Sequence, residues 1–275
     1  MYPILFSFGP ITIYSLGFFL TLAFVFGSFC VWRFARDELD DEKILDAVIA
    51  ATVFSVVGGR LFYIFWHFQV FNLNILRWIH FYLYPGFSFW GAIGGGILGV
   101  ILYTRLTKTP FWRVADFLAL GASLSVFLGQ AGCFLDGCIL GKPTNFIFGI
   151  TPLGFLEKRH PISLYGLIVA IIIFLLLTKI IYKKTLGYRH KREGMVFLNF
   201  LLLLGFSSFL LEFFRVNAVY FYRLSLNQWI ALISFIFSGS LLYLRYGNLK
   251  QDSAYLTLFL QKAVSNLNFK KKFMR

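Results

Sequence analysis

Seven apolar runs, each about long enough to cross a bilayer, constrain this chain more than any other feature. A spanning helix needs roughly 20 mostly apolar residues. The segments at about 11–32, 46–66, 87–104, 115–139, 161–181, 195–214 and 226–244 meet that length. Inside a bilayer the backbone has no water to bond with, so a spanning chain is either helical or part of a closed barrel. Barrel strands alternate apolar and polar residues, and these runs do not. The expected fold class is therefore all-α, a polytopic membrane protein with seven transmembrane helices. Residues 1–275 are read as one integral membrane domain: 140–160 is a loop-sized excursion and 246–275 a short basic tail. The opening MYPILFSFGP has neither a basic leader nor a cleavage site, so the first run is expected to persist as a helix.

The chain has 26 Lys and Arg against 12 Asp and Glu, a net charge of +14. In a soluble protein this surplus would suggest nucleic acid. In a chain that is 59% hydrophobic it marks cytoplasmic loops and contact with anionic lipid headgroups instead. Nineteen of the 26 fall in alternate connections (33–43, 105–113, 179–192 and 245–275), and seven on the other side. The positive-inside rule then puts the N-terminus outside and the C-terminus in the cytoplasm.

On this topology the polar residues of the spans gather at the outer side. Arg60 and His67 lie in the outer half of the second run, Gln130 and Asp136 near the outer end of the fourth, and Ser208, Glu212 and Arg215 near that of the sixth. His160 comes just before the fifth. Arg60, Tyr63 and His67 share one helix face by spacing, as do Ser208, Glu212 and Arg215. Charged groups at this depth usually face a bundle interior or wet cavity and mark function. The plainer alternative is that Arg60 and Arg215 neutralise Asp136 and Glu212 and hold helices together. His160, at the polar rim, is the better candidate base; His67 reads first as an interfacial aromatic.

GAIGGGILG (91–99) and VVGGR (56–60) suit close helix packing, or leave room for a lipid. Gly129, Gly132, Gly137 and Gly141, followed by Pro143, are expected to fray the fourth helix near the surface, where freed N–H groups can hold phosphate. Cys30 reads as a small apolar residue. On an unbroken helix Cys133 and Cys138 point about 140° apart, so a disulfide between them requires an unwound turn. A thiol redox role stays open on those terms. No CxxC or His-rich spacing suggests a metal.

Several motifs, in order, resemble the bacterial prolipoprotein diacylglyceryl transferase family over residues 4–245. They are LFSFGPITIYSLG, GGRLFYIFW, PGFSFWGAIGGGILG, GQAGCFLDGCILGKPT, RHPISLYG and FLLEFFR. The resemblance implies a bacterial inner-membrane enzyme. It would transfer a diacylglyceryl group from phosphatidylglycerol to the lipobox cysteine in the signal peptide of a prolipoprotein. A thioether forms, glycerol phosphate leaves, and no metal or organic cofactor takes part. The chemistry asks for Arg or backbone donors around the departing phosphate and for a base or positive field at the thiol. Carried over by motif, His160, Glu212 and Asp136 are the catalytic candidates. Arg60, Tyr63, Gln130, Gly132, Gly141, Tyr165, Ser208 and Arg215 are the substrate-binding ones.

The departures from the family pattern are specific. Gln130 and Ser208 stand where the family has Arg, Gly166 and Cys138 where Glu occurs, Trp90 where some members have His, Leu16 where Tyr occurs, and Cys133 at an Asn position. Asp136 replaces an uncharged residue. Two lost arginines weaken a phosphate site, since a neutral donor is worth less than a charged bidentate one. A catalytically silent relative that binds lipid or a signal peptide is thus the alternative reading.

Overall fold

The computed structural model describes residues 2–9, 11–80, 83–152, 154–185, 193–216 and 220–247. The basic residues at 186–192 and beyond 247, which weigh in the orientation count, lie outside this set. A hairpin of β1 (Ile4–Phe8) and β2 (Ile11–Tyr14) opens the chain and leads into α1 (Ser15–Ala35). Next come α2 (Asp41–Trp66), the short α3 (Phe68–Phe71) and α4 (Ile75–Ile79), α5 (Phe89–Thr107) and α6 (Phe111–Asp136). The chain continues with α7 (Ile162–Thr185), α8 (Met195–Glu212), a hairpin of β3 (Tyr220–Phe221) and β4 (Leu224–Ser225), and α9 (Leu226–Tyr246). Seven of these helices are long and apolar enough to cross a membrane. Only 11–39% of each span's apolar window is buried in the protein, so the rest of that surface needs an apolar solvent.

Each span matches one expected run, with ends that differ by up to five residues: α2 and α6 begin earlier than expected, at Asp41 and Phe111. The first helix starts at Ser15 because residues 11–14 pair with the N-terminal strand. The fourth span stops at Asp136 because Gly137 takes a left-handed φ of +80°, which reverses the chain there. The spans alternate in direction. One end of the bundle therefore gathers the N-terminal hairpin, α3, α4, residues 137–161 and the β3–β4 hairpin.

Glycine lets α2 and α5 meet backbone to backbone. A Cβ on Gly58 would fall 2.7 Å from Gly95 Cα and 2.8 Å from the Gly91 carbonyl oxygen. This bears out packing over lipid space for VVGGR and GAIGGGILG. Caps at the bundle ends satisfy orphan backbone donors. Ser225 and Gln228 form a reciprocal capping box on α9. Asp116 of α6, fully buried, accepts from the Gly194 and Phe197 amides at 2.8 and 2.9 Å and so caps α8 from a different helix. At the same end Arg113 bonds Glu193 at 2.6 Å, Tyr246 donates to the Glu193 carbonyl, and Arg245 stacks 4.0 Å over Trp112. These contacts tie α6, α8 and α9 together, so the opposite end can be built from irregular backbone.

Candidate functional site

At that opposite end three chain segments lie side by side. After the Gly137 turn, residues 140–142 run along residues 214–216: the Val216 amide donates to the Leu140 carbonyl at 3.0 Å, and the Lys142 amide to that of Phe214 at 2.8 Å. The 140–144 segment also borders 158–160, with His160 N–H on the Lys142 carbonyl (3.1 Å) and Thr144 N–H on the Lys158 carbonyl (2.9 Å). Gly141 sits in the middle, bridged to Arg215. A Cβ there would collide with the His160 carbonyl oxygen, so no other residue lets these strands close up.

His160 thus stands beside Gly141. Its Nδ1 is 3.3 Å from the Tyr165 hydroxyl, and its ring packs edge-on against Phe214, with centroids 5.0 Å apart. A shallow pocket at this place is lined by Cys133, Gly137, Gly141, His160, Pro161 and Ser163, among others. Cys133 and Cys138 form a disulfide with Cα atoms 5.2 Å apart. The left-handed Gly137 between them is the unwound turn that such a bond requires.

Glu212, only 8% exposed, ends α8 next to this strand pair. Its carboxylate accepts from Asn227 Nδ2 at 2.9 Å and Ser225 Oγ at 3.2 Å, both at the start of α9, and lies 3.5 Å from Arg215 Nη1. A negative charge is favoured at a helix N-terminus. Glu212 therefore couples α8 to α9 and orients Arg215. Among the described residues this is the one pairing that the neutralisation reading foresaw: Asp136, partly buried in the last turn of α6, makes no ion pair there.

Arg60 is engaged by backbone carbonyls. It is 5% exposed, and its guanidinium donates to the carbonyls of Arg77 (3.1 Å), Trp78 (3.0 Å), Tyr84 (2.8 Å) and Gly86 (2.9 Å). The ring of Phe71 lies 5.0 Å beneath it. Tyr63 stacks on His67, with centroids 4.2 Å apart, and packs against Gly86, where a Cβ would meet its ring. Arg60, Tyr63 and His67 thus organise the connection between α2 and α5, a second cluster alongside the one around Gly141.

Three more expected residues have clear surroundings. Gly132 packs on Phe19 and Leu16 of α1, where a Cβ would lie 2.6 Å from Phe19 Cβ. Ser208 is partly buried on α8, one turn before Glu212, with no hydrogen-bond partner among the described residues. Gln130 lies against Gly166 of α7: a Cβ on Gly166 would be 2.9 Å from both Cδ and Oε1 of Gln130, and Oε1 is buried without a partner. Two departures from the family pattern are therefore direct neighbours.

The structure adds residues that sequence reasoning did not single out. Ser225 and Asn227 hold Glu212, and nothing in their spacing signals it. Arg159 is signalled, being the residue before His160 in RHPISLYG. Its Nη1 donates to the Gly141 carbonyl at 3.2 Å, its guanidinium lies 4.4 Å over the Phe155 ring, and its Nε is buried without a partner.

Comparison with known proteins points one way. The family described as prolipoprotein diacylglyceryl transferase matches residues 3–244. A protein of Idiomarina loihiensis is 32% identical over 244 residues, covering 84% of this chain and 88% of the relative. One from Geobacter sulfurreducens is 30% identical over 218 residues, 78% and 82% of the two chains. One from Trichormus variabilis is 25% identical over 239 residues, 84% of each. All three relatives carry the name phosphatidylglycerol–prolipoprotein diacylglyceryl transferase.

Proposed function

The chain belongs to the prolipoprotein diacylglyceryl transferase family, and from that premise we propose that it transfers a diacylglyceryl group from phosphatidylglycerol to the lipobox cysteine of prolipoprotein signal peptides. It does so as a multi-pass protein of the bacterial inner membrane. The observation that carries this reading is the family match across 3–244, nearly all of the described chain. The juxtaposition of Gly141, His160, Tyr165 and Arg215 at one end of the bundle supports it. The bias of basic residues supports an N-terminus and an active end on the outer side, and a C-terminus in the cytoplasm.

The reaction forms a C–S bond to the glycerol carbon of the diacylglyceryl group. The C–O bond to phosphate breaks, glycerol phosphate leaves with the electron pair, and the thiol proton passes to a base. His160 is the base of choice. In the tautomer whose Nδ1–H donates to the Tyr165 oxygen, Nε2 keeps a lone pair for the thiol. Asp136, without an ion pair among the described residues, is the alternative base. Glu212, engaged by Ser225, Asn227 and Arg215, acts by holding Arg215.

A second reading is favoured by one observation: Gln130, Gly166 and Ser208 leave part of the interior uncharged, as in a relative that binds lipid without turnover. Losing one preorganised donor typically slows a reaction about 10²–10³-fold, and such losses do not simply add. Slow transfer is therefore expected. The assay is thioether formation on a lipobox peptide in nanodiscs containing phosphatidylglycerol, read by mass spectrometry. Complete absence of product, with lipid still bound, selects the silent relative.

A further inference from the structure

Arg60 is held by four carbonyls and Arg215 by Glu212. The reaction still needs a cation for a phosphodiester. Arg159 stands differently from both. Its Nη1 bonds the Gly141 carbonyl, and Phe155 supports the face of its guanidinium. On the remaining edge, Nε is buried without a partner and Nη2 makes no hydrogen bond among the described residues. No carboxylate pairs with it among the described residues. A buried donor on a charged group is costly to leave unmade, so this edge is shaped for an acceptor that the protein itself does not supply.

The placement is also rigid. The Arg159 amide and carbonyl both bond Ile150, at 2.8 and 3.0 Å, which fixes the Cα from which the side chain extends. A ring beneath the guanidinium restrains its plane. Its neighbour in sequence is His160, and the carbonyl it bonds belongs to Gly141, which is bridged to Arg215. Two parallel N–H donors on a guanidinium edge match two oxygens of a phosphate.

We propose that Arg159 binds the phosphate of the donor phospholipid through its Nε–Nη2 edge, and is the charged donor of this site in place of the neutral Gln130 and Ser208. The inference rests on the transferase reading only for the identity of the lipid.

The test compares the parent protein with Arg159→Gln and Arg159→Lys in nanodiscs. Native mass spectrometry reads binding of phosphatidylglycerol and of diacylglycerol, which lacks the phosphate. Arg159→Gln is expected to weaken phosphatidylglycerol binding about 10- to 100-fold, the range for a charge-assisted bond. Diacylglycerol binding should not change, and Arg159→Lys should recover part of the loss. Equal loss of both lipids would mean that Arg159 only shapes the loop, and unchanged phosphatidylglycerol binding would mean that it is idle; either result overturns the assignment. A measurement on the parent alone guards against misfolded variants. Phosphatidylglycerol should protect Arg159 from an arginine-directed glyoxal reagent, mapped by peptide mass spectrometry, whereas diacylglycerol should not. Protection by inorganic phosphate with none by the lipid would identify a free-anion site and refute the lipid assignment. Arg159-dependent binding in a parent that forms no thioether would uphold the assignment and refute the transferase reading.

Discussion

Replacing Arg60 by Gln tests whether its charge belongs to the fold or to the substrate. Four carbonyls, at Arg77, Trp78, Tyr84 and Gly86, receive its donors, and Phe71 lies under its face. Each bond from a charged donor contributes about 1.5–3 kcal/mol, but four bonds from one group do not add. Breaking a buried charged network typically costs about 3–5 kcal/mol. Gln can keep one or two of the bonds, so a loss of about 3 kcal/mol is expected, confined to the connection between α2 and α5. At about 1.4 kcal/mol per tenfold, opening of that connection becomes roughly 100-fold more frequent. Hydrogen exchange reads this directly. The amides of His80, Tyr84 and Ser88, bonded to Leu76, His80 and Gly59, should exchange about 100-fold faster. Those of the Gly141–Arg215 bridge should not change. Exchange at 80–88 within threefold of the parent, together with loss of phosphatidylglycerol binding, would refute the reasoning and return Arg60 to the headgroup.

Three further outcomes are expected. In denaturant without reductant one thiol per chain, that of Cys30, should react with a maleimide, and three after reduction; three before reduction would exclude the Cys133–Cys138 bond. Gln130→Arg alone sets a cation against Gly166 without introducing an acid to pair with it, and should lower stability by about 3–5 kcal/mol. Adding Gly166→Glu should recover at least half of this in thermal unfolding in detergent, and a single variant as stable as the parent would count against it. Fusions of a reporter that is active only outside the cytoplasm should be active after residue 150 and silent after residue 190; the reverse pattern would invert the proposed orientation.

The seven spans were legible because length and apolarity are nearly sufficient to define a helix in a bilayer. Their ends were less so: residues 11–14 have the apolarity of a helix but are claimed by pairing with Ile4–Phe8, and that pairing is not a local property. Within the site, the grouping of Gly141, His160 and Arg215 was legible as a common depth, since helix direction alone brings residues to one side. Partnership was not. Arg60 looked available for an anion because the carbonyls that engage it, those of Arg77, Trp78, Tyr84 and Gly86, lie 17 to 26 residues further along the chain, and such partnership is not a local property. The disulfide was legible only as conditional on an unwound turn, and the left-handed Gly137 supplies that turn. Asp116 was invisible because the helix that it caps begins 79 residues later in the chain.

The neighbourhood of Gln130 changes how the missing charges are weighed. Counted along the chain, Gln130, Gly166 and Ser208 are three separate losses. In space the Gln130 amide rests on Gly166, so an arginine and its acid at these two places would have formed one pair, and their replacement removes no net charge. On that reading the replacement exchanges a buried ion pair for neutral packing, often at little cost in stability. The net deficit in positive charge then reduces to Ser208. Arg159 lies beside Gly141, with its Nε unpartnered, and Arg215 is held in place by Glu212. Two cations flank one glycine whose strand leads directly from the end of α6. On the proposed assignment, the charge that receives the phosphate is supplied from the strands at the mouth of the bundle rather than from its interior.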